Sequence, residues 1–136
     1  MRPRHLVPIL FAGVLLASGC VIAVEDDVLV EPFVADLEVS WTIDQSSSAA
    51  LCSAYDIQRW EVTVSGPEHR GLTLDCRHHW WSSESDLYEL PAGNYDVTIT
   101  AVDSLDYARS TLSTSVDLRS SLFVEQLALN FTAYDF

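Results

Sequence analysis

Residues 94–103 read NYDVTITAVD, and this stretch decides the fold class. Its apolar residues alternate with polar ones, so that one side of the extended chain carries Tyr95, Val97, Ile99 and Ala101. Successive side chains of a strand point to opposite faces of a sheet, and a period of two residues therefore indicates a strand with one buried face. The stretch predicts a half-buried β-strand.

The same alternation recurs in five more short runs, at residues 37–43, 60–64, 72–76, 112–118 and 127–133. No long run has a helical period, and the one candidate for a short helix or a crossover loop is residues 46–55. Short strands at intervals of about a dozen residues are typical of sandwiches. The sequence predicts an all-β fold, an antiparallel immunoglobulin-like β-sandwich of about seven strands, over residues 36–136.

The first residues have the layout of a secretory signal. Arg2 and Arg4 precede an uncharged run at residues 6–24, and a basic start followed by an apolar core is how such signals are built. We expect a signal peptide at residues 1–19 and an acidic tether at residues 20–35. The arginines hold the N-terminus inside, so the domain is expected outside the cytoplasm.

The end of this segment, Leu16-Ala17-Ser18-Gly19-Cys20, resembles the lipobox of bacterial lipoproteins. That resemblance implies lipidation of Cys20 and a membrane partner reached through the lipid. Val21 follows where an aspartate would imply retention in the inner membrane, so the resemblance implies an outer-membrane lipoprotein, at the periplasmic face or on the cell surface. Two alternatives stay open: a plain secretory signal that leaves Cys20 as a thiol, and a retained membrane helix.

Three cysteines occur in the chain. If Cys20 takes lipid, Cys52 and Cys76 form an even pair in an oxidising compartment, which predicts a disulfide. Two reduced, buried thiols are the alternative.

The charge of the chain restricts its partners. All 20 acidic residues follow Cys20, together with five of the seven arginines, and the sequence has no lysine. The part of the chain after Cys20 therefore has a net charge of −15, which repels phosphate backbones. We expect no nucleic-acid partner.

Residues 90–97, LPAGNYDV, resemble the LPAGxYxV corner of carboxypeptidase-regulatory-like and fibronectin-III-like sandwiches. Pro91 and Gly93 suit a tight turn, and the Tyr95 hydroxyl can bond backbone across the corner. Over its whole length the chain is similar to small uncharacterised β-sandwich lipoproteins of bacteria, a group that implies no shared activity.

The site candidates cluster at residues 76–81. Adjacent Trp80 and Trp81 would point to opposite faces of a strand, and an exposed tryptophan often marks recognition. Both could instead be buried. The candidate binding surface comprises Arg77, His78, Trp80 and Trp81.

His78 and His79 raise two further alternatives, a metal site and a hydrolase. Adjacent histidines on a strand point apart, and Cys76 is expected to be oxidised, so we expect no metal and no cofactor. No GxSxG elbow is present. We therefore expect that the protein is not an enzyme. We expect a lipid-anchored structural or binding module of the cell envelope, with a protein or glycan partner. The alternatives are a carbohydrate-binding module using Trp80 and Trp81, and a hydrolase using His78 or His79.

Overall fold

The computed structural model describes residues 34–84, 86, 89–119 and 124–136. The expected signal segment, the lipidation site at Cys20 and residues 20–33 of the expected tether lie outside the described residues. The described elements, in chain order, are β1 (Val34–Ile43), α1 (Ala50–Ala54), β2 (Arg59–Ser65), β3 (His69–Asp75), β4 (Trp80–Ser82), β5 (Leu90–Pro91), β6 (Gly93–Val102), β7 (Ala108–Leu118), β8 (Val124–Phe131) and a 3-10 turn (Ala133–Asp135).

One sheet contains four antiparallel strands in the order β3-β2-β6-β7. Its register places Val62 opposite both Leu72 and Ile99, and Ile99 opposite Leu112. Because these residues share one face, the apolar positions of four separate runs of sequence line up across the sheet.

The second sheet is built around β1. β1 pairs antiparallel with the short strands β4 and β5, and it pairs in parallel with β8 along its length, from Asp36 opposite Val124 to Ile43 opposite Phe131. β1 begins at Val34, so the last two residues expected in the tether are part of this sheet. The two sheets enclose one core, and the expected all-β sandwich is confirmed.

Most of the core comes from the inward residues of β1, β2 and β6, which the alternation had predicted. All are at most 1% exposed and belong to one cluster of buried side chains: Leu37, Val39, Trp41, Ile43, Trp60, Val62, Val64, Tyr95, Val97, Ile99 and Ala101. The inward residues of the edge strands β3, β7 and β8 are mostly half-buried. Burial therefore decreases from the central strands toward the sheet edges.

The corner before β6 has the geometry that its sequence predicts. Tyr95 is buried, and its hydroxyl donates a hydrogen bond to the Pro91 carbonyl at 2.7 Å. Burial raises the pKa of this hydroxyl above its ordinary value. Gly66 packs against the Tyr95 ring so closely that a Cβ there would lie 2.7 Å from Cδ1. The corner thus joins the β2–β3 turn to the start of β6.

Within the part of the chain that the structure describes, no helix has the length and apolar character that crossing a membrane requires.

Candidate functional site

β4 places two adjacent tryptophans on opposite sides of the second sheet. Trp81 lies opposite Val39 and is 2% exposed, whereas Trp80 lies opposite Ser40 and is 46% exposed. The Trp81 indole donates a hydrogen bond from Nε1 to Asp86. Trp81 is thus a core residue, which corrects its expected place in the binding surface. Trp80 is the exposed member of the pair.

Trp80 lies on the polar surface formed by the outward residues of β1 and β8. Ser40 is paired with Trp80 on one side and with Ala128 on the other. The side chains of Ser40 and Ala128 are both small. The adjacent outward cross-strand pairs between β1 and β8 are Glu38 with Gln126 and Thr42 with Asn130. We call this surface the Trp80 face and define it as Glu38, Ser40, Thr42, Trp80, Gln126, Ala128 and Asn130.

Asn130 has an amide orientation that its hydrogen bonds determine. Its Oδ1 accepts from Thr42 Oγ1 at 2.8 Å and from the backbone N–H of Gln45 at 2.7 Å. The amide NH₂ is directed away from these two donors and can donate to a ligand. The Glu38 carboxylate supplies hydrogen-bond acceptors, and the Gln126 amide supplies both a donor and an acceptor. The Trp80 face therefore combines one aromatic ring with polar groups able to orient a hydroxylated molecule.

Arg77 and His78 are exposed residues of the turn between β3 and β4. Asp75 organises this turn, because its side chain accepts from the Arg77 N–H and its carbonyl accepts from the His78 N–H, each at 2.9 Å. Both residues precede Trp80 by only two or three positions. Their part in a binding surface with Trp80 stays a prediction.

His79 belongs to the core. Its Nδ1–H donates to the Trp41 carbonyl at 3.1 Å, and its ring contacts the indole of Trp60 at a centroid distance of 5.5 Å. Burial lowers the pKa of the imidazole below its ordinary value, because a charged ring is poorly solvated in the core. The His78 and His79 side chains therefore do not meet at one site.

A disulfide joins Cys52, in α1, to Cys76, in the turn after β3, with 5.8 Å between the Cα atoms. This confirms the predicted pairing. The Trp60 indole also donates to the Cys76 carbonyl at 2.9 Å. Two links thus hold the start of the turn that carries Arg77 and His78 against the sandwich.

The candidate metal ligands do not converge. Cys76 is committed to the disulfide, His79 faces the core and His78 is exposed in the turn before β4. Among the described residues, no group of three or more histidine, cysteine, aspartate or glutamate side chains could hold a metal ion.

The partners of Trp80 were missed in the sequence. Glu38, Ser40 and Thr42 fall among the polar positions of the run at residues 37–43, Asn130 falls in the run at 127–133, and Gln126 lies one residue before that run. The alternation of apolar and polar residues can place these polar side chains on the outward face of their strands. It cannot show that β1 and β8 are neighbours.

No family model matches the chain, and no curated protein does.

Proposed function

We propose that this protein is a lipid-anchored, non-catalytic module of the bacterial cell envelope that binds a ligand or partner through the Trp80 face. The observation that carries the proposal is the exposed indole of Trp80 on the outer face of a sheet. An exposed tryptophan on a rigid, polar surface is a frequent anchor of recognition, since its large apolar area gains most when it is covered.

The anchor is supported by the LASGC sequence and by the cysteine pairing. Cys52 and Cys76 bond to each other, so neither is the partner of Cys20. The first strand begins at Val34, which leaves residues 20–33 between the expected lipid and the sandwich. A tether of this kind suits a domain held beside a membrane whose anionic headgroups repel it.

A saccharide is the ligand class that the Trp80 face favours. Sugar rings stack their C–H faces on an indole, and their hydroxyls need the mixture of donors and acceptors that Glu38, Gln126 and Asn130 provide. The acidic charge of the domain disfavours anionic glycans, so a neutral or amino sugar is the better match.

Metabolic labelling with an alkyne fatty acid tests the anchor. The wild-type chain should incorporate the label and fractionate with membranes, and Cys20→Ala should do neither. A Cys52→Ala/Cys76→Ala variant is the matched control, since it removes two cysteines and leaves Cys20. Labelling that survives Cys20→Ala would disprove the anchor.

Glycan-array binding followed by calorimetry tests the Trp80 face. Trp80→Ala should weaken binding of any saccharide hit by about tenfold or more, which is the usual cost of removing a central aromatic contact. Leu105→Ala is the matched control, because Leu105 is 72% exposed and lies in the loop between β6 and β7, on the other sheet. Binding that is equally strong in Trp80→Ala would refute the proposed site.

A further inference from the structure

We propose a second interaction surface, at one end of the sandwich, that takes a basic protein segment with interspersed apolar side chains. The surface consists of three loops, at residues 44–58, 103–107 and 132–136, which we call the tip. It adjoins the Trp80 face through the hydrogen bond from Gln45 to Asn130 but shares no residue with it, and it goes beyond the function proposed above.

The three loops form one continuous surface. The Ser104 hydroxyl lies 3.5 Å from Asp56 Oδ1, which joins the second loop to the first. The rings of Tyr55 and Phe136 pack at a centroid distance of 4.9 Å, which joins the first loop to the third. A partner that contacts one loop therefore meets the others.

The tip exposes most of the large apolar side chains that reach the surface of the described domain. Leu105 is 72% exposed, Tyr107 67% and Tyr134 99%; Trp80 and Val124 are the other large apolar residues exposed in the described ranges. A soluble surface rarely groups such side chains without a partner to cover them.

The tip holds these side chains on ordered backbone. The buried carboxylate of Asp103 accepts hydrogen bonds from the N–H groups of Leu105 and Tyr107, at 2.8 and 2.9 Å. Beside Tyr134, the Asp135 carboxylate accepts from the Thr132 N–H at 2.6 Å. Because the backbone is already ordered, binding would cost little further conformational entropy.

The charge of the tip selects the chemistry of the partner. The three loops contain five aspartates and no arginine, lysine or histidine. Two arginines border the tip: Arg59, at the start of β2, is already bonded to Asp106 and Glu61, and Arg109 lies exposed near the start of β7. A partner that brings arginine or lysine beside apolar side chains would complement this surface, whereas an anionic bilayer would be repelled.

The length of β1 separates the tip from Val34. β1 runs from Val34 to Ile43, and the tip begins at the next residue. A ten-residue strand spans about 30 Å, so the tip lies at the opposite end of β1 from Val34, through which the chain continues toward Cys20.

Fluorescence anisotropy with designed peptides tests the proposal on the full-length protein in detergent. The probe is a labelled peptide of alternating arginine and leucine; the comparison peptides replace arginine by glutamate or leucine by serine. The arginine–leucine peptide should bind the wild type, and both comparison peptides should bind at least about fivefold more weakly. The double variant Leu105→Ser/Tyr107→Ser should lose at least about fivefold in affinity.

Two control variants separate this surface from others. Val124→Ser, at an exposed apolar residue outside the tip, should bind the peptide like the wild type. Trp80→Ala should also do so, so that failure of the Trp80 face and failure of the tip are distinguishable. Equal affinity of the wild type and the double variant would overturn the proposal, as would equal binding of the arginine–serine peptide or preferential binding to phosphatidylglycerol vesicles.

Discussion

Replacing Cys52 and Cys76 together by alanine removes the covalent link between α1 and the turn after β3. The two residues are 24 positions apart. On the chain-entropy model, closing a loop of that length removes enough freedom from the unfolded chain to contribute about 3.5 kcal/mol at 25 °C. We therefore expect the free energy of unfolding to fall by about that amount. For a domain of about 100 residues the melting temperature should fall by about 15 °C.

The assay is urea unfolding followed by tryptophan fluorescence, with oxidation of the wild-type pair verified by mass spectrometry. The wild type under reducing conditions should resemble the double variant, because both lose the same constraint. The slope of the unfolding free energy against urea should rise in both, since an uncrosslinked unfolded chain exposes more surface. A double variant that unfolds within about 1 kcal/mol of the oxidised wild type would refute the entropic reasoning.

Three further outcomes are expected. Tyr95→Phe should lower the free energy of unfolding by about 1 kcal/mol in urea titrations, because the Pro91 carbonyl loses its donor. His79 resists protonation in the folded state, so stability should fall as the pH drops below about 6.5, measurable by unfolding at several pH values and by NMR titration of the ring. Gly66→Ala should cost about 2 kcal/mol, since its Cβ would meet backbone at 2.4 Å, whereas Gly71→Ala, in open space, should change thermal stability by less than about 0.5 kcal/mol.

The central strands could be predicted because their signal is local. In β1, β2 and β6 every second residue is apolar, and the sandwich buries those residues on both sheets. The Tyr95 corner was also readable, since a proline, a glycine and a tyrosine at fixed spacing restrict the backbone in one way. These features depend on neighbours in the sequence, and a single sequence contains them.

The features that required the structure depend on residues far apart in the chain. The parallel pairing of β1 with β8 joins residues almost 90 positions apart, and alternation carries no information about which strands are neighbours. β4 has only three residues, too few to display a period. Parity predicted that Trp80 and Trp81 would face opposite ways, but the register with Val39 and Ser40 was needed to show which one faces the core.

The same short strand supplies a core residue and the exposed indole, which is why the two tryptophans should respond differently to mutation. Backbone bonds to β1 hold the chain at both ends of β4: the Trp41 N–H donates to the His79 carbonyl at 3.0 Å, and the Ser83 N–H donates to the Leu37 carbonyl at 2.9 Å. None of these bonds involves the side chain of Trp80. Truncating Trp80 should therefore remove a contact surface and leave the strand in place. Truncating Trp81 would open a cavity in the core, and any loss of binding there would follow from unfolding.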